Sequence, residues 1–97
     1  MKLNEKILCK DGFHMSVQAN EGAYCSPRID NAERYVQVEV GYPSHVEPLL
    51  LKWAEKKNDP TGSVYPYVPA NQISLVCVKH GGIVSGELPA GIPYLEA

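Results

Sequence analysis

An α+β fold, a small antiparallel sheet packed against two helices, is predicted by three features of this 97-residue chain. Apolar and polar residues alternate beyond an Asp11-Gly12 pair and again over residues 35–40. A helical period follows at residues 46–54, and a segment opened by Pro69 and closed by Gly81-Gly82 offers a second helix.

The first strands are Lys6–Lys10 and Phe13–Ala19, in which Phe13, Met15, Val17 and Ala19 alternate with polar residues. Asp11-Gly12 between them predicts a hairpin with a two-residue type I′ turn, because that pair tolerates positive φ angles. Residues 20–34 lose the apolar period and gather Asn20, Gly22, Ser26, Pro27, Asp30 and Asn31. They read as a long loop of the kind that often carries function. Tyr35–Val40 is the third strand, with valines on one face and Tyr35, Gln37 and Glu39 on the other.

Ser44 and Glu47 have capping-box spacing, and Val46, Leu49, Leu50, Trp53 and Ala54 fall on one helical face. The first helix is therefore expected over Ser44–Lys57, with Leu50 and Trp53 buried and Pro48 in its opening turn. Val64–Val68 is extended, but Pro66 cannot donate to a ladder and assigns it to an edge. In that geometry Tyr65 and Tyr67 share a face. Residues 69–80 carry enough β-branched side chains for a strand, yet Pro69 and His80-Gly81-Gly82 favour a helix. Ile83-Val84 adds a short strand. The domain is expected over residues 1–86, with an irregular C-terminal tail at 87–97.

Composition narrows the function classes. Apolar residues make up 44% and charged residues 21%, and no apolar run approaches the ~20 residues that span a bilayer. The net charge of −2 gives no general attraction to duplex nucleic acid. Ile7-Leu8-Cys9 is too short an apolar run for a signal-peptide core, and Cys9, Cys25 and Cys77 are unpaired by spacing. A cytoplasmic setting without disulfides is the expectation.

Five segments carry a resemblance: Asp11-Gly12-Phe13 with Met15-Ser16-Val17-Gln18-Ala19, Tyr24-Cys25 with Pro27-Arg28, Val38-Glu39 with Gly41 and Pro43-Ser44, Tyr65 with Tyr67-Val68-Pro69, and His80-Gly81-Gly82. Together they resemble a group of short proteins encoded by tailed phages and prophages, over most of residues 11–82. Where members of that group place glycine between the two tyrosines, this chain has Pro66. The motifs match no enzyme signature. The resemblance indicates origin and leaves mechanism open; by analogy of setting, small phage proteins of this sort often act on host machinery, as inhibitors of defence complexes or as sponges for nucleotide signals.

Candidate binding residues are Tyr24, Arg28 and Arg34 of the long loop, with Tyr65 and Tyr67 of the extended segment. Tyrosine rings anchor protein partners or stack on bases, and guanidinium groups hold carboxylates or phosphates. Cys25 lacks a base oriented by a third group, so it reads as a small buried side chain and no catalytic residue is assigned. Cysteine and histidine spacings match no zinc site, so no metal or cofactor is expected. His80 reads as a partner for the negative end of a helix. The function expected is host-protein binding; a nucleotide sponge and a small virion or assembly component are the alternatives. Self-association is also expected, from the edge at residues 64–68 and the apolar tail.

Overall fold

The computed structural model describes residues 2–97. Its centre is one five-stranded antiparallel sheet built from β1 (Ile7–Cys9), β2 (His14–Gln18), β3 (Gln37–Gly41), β4 (Val64–Pro69) and β5 (Ile83–Ser85), ordered β4-β3-β2-β1-β5. A single α-helix, α1 (Ala70–Lys79), lies between β4 and β5 in sequence. The fold is α+β as expected, with one helix rather than two.

Period-two alternation builds the core. Ile7 and Cys9 of β1, Met15 and Val17 of β2, and Val38 and Val40 of β3 all point inward, with Ile7 opposite Met15 and Val17 opposite Val40. Helix α1 adds Ile73, Val76 and Cys77 to the same cluster. Burying a side chain such as Ile73 contributes roughly 1.5–3 kcal/mol. The opposite face is polar: Gln18 Nε2 donates to Ser16 Oγ at 2.9 Å and to the Asn4 carbonyl at 2.8 Å.

Helix α1 ends as its sequence predicts. The Gly81 N–H donates to the Val78 carbonyl and the Gly82 N–H to the Cys77 carbonyl, at 3.1 and 2.8 Å. Both glycines have positive φ, +90° and +92°, so this is a Schellman stop. Residues 87–97 form no helix or strand, although Glu96 bridges to Ile83 and Ile92 belongs to the core.

Three local expectations are corrected. The hairpin loop has three residues, Lys10-Asp11-Gly12: the Gly12 N–H donates to the Cys9 carbonyl and the Cys9 N–H to the Phe13 carbonyl. Only Gly12 has positive φ, because Asp11 is held by its own carboxylate, whose Oδ1 accepts the Phe13 N–H at 2.9 Å. Tyr35 lies ahead of β3 and is buried rather than outward-facing.

The larger correction is the helix expected over Ser44–Lys57. Only a short 3₁₀ turn at Leu51–Trp53 forms there. Both capping side chains are engaged elsewhere: Ser44 Oγ accepts the His14 N–H at 3.0 Å, and Glu47 turns inward. Pro48 removes a further helix donor. Leu50 is buried, as its spacing predicts, but Trp53 is only half-buried and Val46 is exposed.

Candidate functional site

The loop of residues 20–34 is pinned along its length. Asn20 Oδ1 accepts the Gly22 N–H, Asp30 Oδ1 accepts the Glu21 N–H, and Ser26 bridges to Gln37 beside β3. The Tyr35 hydroxyl donates to the Ile29 carbonyl at 2.7 Å and accepts the Ala32 N–H at 3.2 Å. These contacts fix where Tyr24 and Arg28 are displayed.

Tyr24 meets Tyr67 through backbone and ring. The Tyr67 N–H donates to the Tyr24 carbonyl at 3.1 Å, and the ring centroids are 6.0 Å apart, tilted by 43°. The Arg28 guanidinium carbon sits 5.1 Å from the Tyr24 ring centroid, within cation–π range. Both tyrosines are 41% exposed. Tyr67 also has a φ of +54°, an uncommon conformation for a bulky residue.

Tyr65 and Arg34 do not join this group. Val40 pairs with Tyr65 while Val38 pairs with Val68, so β4 carries one residue more than β3 between those pairs. The bulge breaks the alternation, sending Tyr65 into the core and Tyr67 out to solvent. The Tyr65 hydroxyl donates to the Pro60 carbonyl at 2.6 Å, and burial raises its pKa above the usual phenol value. Arg34 packs beside Gly91 and borders a separate cavity of about 390 Å³ with Asn71 and Ser74.

The structure also assembles a cluster that the sequence did not disclose. His80, just beyond α1, places Nδ1 2.6 Å from Asp11 Oδ2 and Nε2 2.6 Å from Glu47 Oε1. Its ring stacks on Phe13 at 4.1 Å and 12°. Glu47 is 1% exposed, and its Oε2 accepts the Leu49 N–H at 2.8 Å and the Lys79 ammonium at 2.9 Å. Each contact to the imidazole is a hydrogen bond when that ring nitrogen carries a proton. Both ring nitrogens thus face a carboxylate oxygen at hydrogen-bond distance.

Burial works against the Glu47 charge, but the Leu49 N–H and the bonds from Lys79 and His80 outweigh it, so its carboxyl lies below the ordinary value. The Phe13 N–H, then His80, lower Asp11 in the same sense. Both ring nitrogens of His80 are thus taken up by partners within the chain. Its chemistry is that of a clamp joining the hairpin turn, the segment around Glu47 and the end of α1. The partners lie 69 and 33 positions away, too distant for any spacing rule to find.

The three cysteines are buried. The single S–H of Cys25 lies within reach of the Asn20 and Pro27 carbonyls, with Sγ 3.2 and 3.4 Å from them. Burial pushes the Cys77 thiol up to about 12, far from a reactive thiolate. No group of three potential ligands among the described residues is placed to hold a metal ion. No helix among them is long and apolar enough to cross a membrane. No family model, curated protein or solved structure matches the chain.

Proposed function

We propose that this chain is a non-enzymatic binding protein whose Tyr24–Arg28–Tyr67 face takes a protein partner. The observation that carries this reading is the pairing of two exposed tyrosines, of which Tyr24 also carries the Arg28 guanidinium over its ring, held together by the Tyr67–Tyr24 backbone bond. Tyrosine and arginine are enriched among residues that dominate interface energetics, and pre-positioned rings lose little entropy on binding. The resemblance to phage-encoded proteins supports a host protein in the host cytoplasm as the partner, with interference in host defence as the outcome.

A nucleotide sponge is the weaker reading on this face. The two rings are tilted and close, which leaves no parallel slot for a base. The test exposes immobilised wild type, Tyr67→Ala and Arg28→Ala to host lysate and identifies retained proteins by mass spectrometry. Thermal melts against cyclic and linear nucleotides run alongside. A defined protein retained by wild type and lost with both folded variants is expected; a nucleotide-induced stabilisation lost in both variants would overturn the proposal. Sedimentation of the wild type checks self-association through its concentration dependence.

A further inference from the structure

The Asp11-Gly12 pair in the hairpin loop carries a chemistry of its own. An aspartate before a glycine can rearrange without an enzyme: the Gly12 nitrogen attacks Asp11 Cγ, a C–N bond forms, and one carboxyl oxygen leaves as water. Water then reopens the resulting succinimide at either of its two carbonyl carbons. Opening at Cγ restores aspartate, and opening at the main-chain carbonyl leaves isoaspartate, with the chain running through the former side chain. Glycine hinders ring closure least because it has no Cβ, and nothing lies within 4 Å of where one would stand at Gly12. The Asp11 side chain is 51% exposed, so solvent reaches it.

The fold opposes each requirement of that reaction. The attacking nitrogen must lose its proton, but the Gly12 N–H is engaged with the Cys9 carbonyl at 3.0 Å. The carboxyl must be neutral to release water, but the bond from the Phe13 N–H, and then that to His80, hold Asp11 below its ordinary value. The carboxyl carbon must swing toward the nitrogen, but Oδ1 is tied to the Phe13 N–H at 2.9 Å and Oδ2 to His80 Nδ1 at 2.6 Å. The loop itself is pinned to the end of α1 by main-chain bonds, from the Lys10 N–H to the Gly82 carbonyl at 3.0 Å and from the Asp11 N–H to the His80 carbonyl at 3.2 Å. Those two bonds hold the backbone, whereas the His80 ring holds the carboxylate that would react.

We propose that Asp11-Gly12 is a site of isoaspartate formation and that His80 is the positioning residue that keeps it unreacted in the folded chain. Conversion adds a main-chain carbon to the three-residue loop and moves the carboxylate away from His80. A converted chain therefore loses the hairpin arm of the clamp, while the Glu47 arm stays in place.

The test incubates the full chain warm at mildly acidic pH, folded and in unfolding guanidinium chloride, and reads isoaspartate at residue 11 by peptide mapping with isomer-resolving fragmentation. Conversion should be about tenfold or more faster in the unfolded chain. His80→Ala should speed conversion in the folded state about threefold or more, the size expected when one hydrogen bond restraining a local opening is lost. His80→Gln, whose amide can serve Glu47 but cannot also span to Asp11, should speed it too, and it decides the matter if His80→Ala does not fold. Val38→Ala, which weakens the core away from the loop, should leave the folded-state rate unchanged where circular dichroism shows it folded. Equal rates in folded and unfolded chains, no change in the folded His80 variants, or an equal rise in Val38→Ala would each overturn the proposal.

Discussion

His80 Nε2 lies 2.6 Å from Oε1 of Glu47, a carboxylate almost wholly withdrawn from solvent. Glu47→Ala would leave His80 Nε2, the Lys79 ammonium and the Leu49 N–H without their acceptor. Removing one partner of a buried charged network costs about 3–5 kcal/mol, so urea denaturation should show a loss near that size. His80→Ala should destabilise in the same direction, and the double variant should lose less than the sum of the two.

Acid should loosen the same cluster. Glu47 and Asp11 have folded pKa values below their ordinary 4.5 and 3.8, so their stabilisation is present above those values. It is lost as pH falls through them toward the lower folded values. Denaturation midpoints measured from neutral pH downward should drop across this window, and Glu47→Gln should flatten the drop. The share from Asp11, which is exposed, should shrink with added salt.

Leu50 is fully buried although the residues around it form only a 3₁₀ turn. Leu50→Ala should cost about 2–5 kcal/mol, read from chemical denaturation, whereas Val46→Ala on the exposed side should change stability by less than about 0.5 kcal/mol.

Tyr67 separates stability from binding. At its φ of +54°, a glycine avoids the Cβ crowding that an alanine meets. Tyr67→Gly should therefore be more stable than Tyr67→Ala by about 1 kcal/mol, while both lose the partner retained by wild type. If Tyr67→Gly kept full partner retention, the ring would have no part in recognition.

What was legible in the sequence is what local chemistry decides. Alternation placed Phe13, Met15 and Val17 inside, and the paired glycines after His80 ended α1. The Ser44–Lys57 segment misleads because Ser44 and Glu47 have the right spacing for a cap, while His14, Lys79 and His80, which draw them away from that role, lie about thirty positions off in either direction. Tyr24 and Arg28 stand out in the sequence as an aromatic and a cationic residue of a loop, and Tyr67 as an aromatic residue of an extended segment. Tyr65 was wrongly grouped with them, since one extra residue in β4 reverses the facing that strict alternation implies. The His80 clamp arises from contacts between distant segments, for which a single sequence carries no local signal.

The docking of residues 95–97 alongside β5 bears on how copies of this chain meet one another. The Ile83 N–H donates to the Leu95 carbonyl at 2.8 Å, and the Ala97 N–H donates to the Ile83 carbonyl at 3.0 Å. At the opposite border of the sheet, Pro66 lacks a donor and the bulge at Tyr67 bends β4 out of regular extension. Each border of the sheet thus carries a built-in obstacle to strand addition. A crowded solution of the folded protein should resist growth into continuous β-structure, the hazard that open edges otherwise invite.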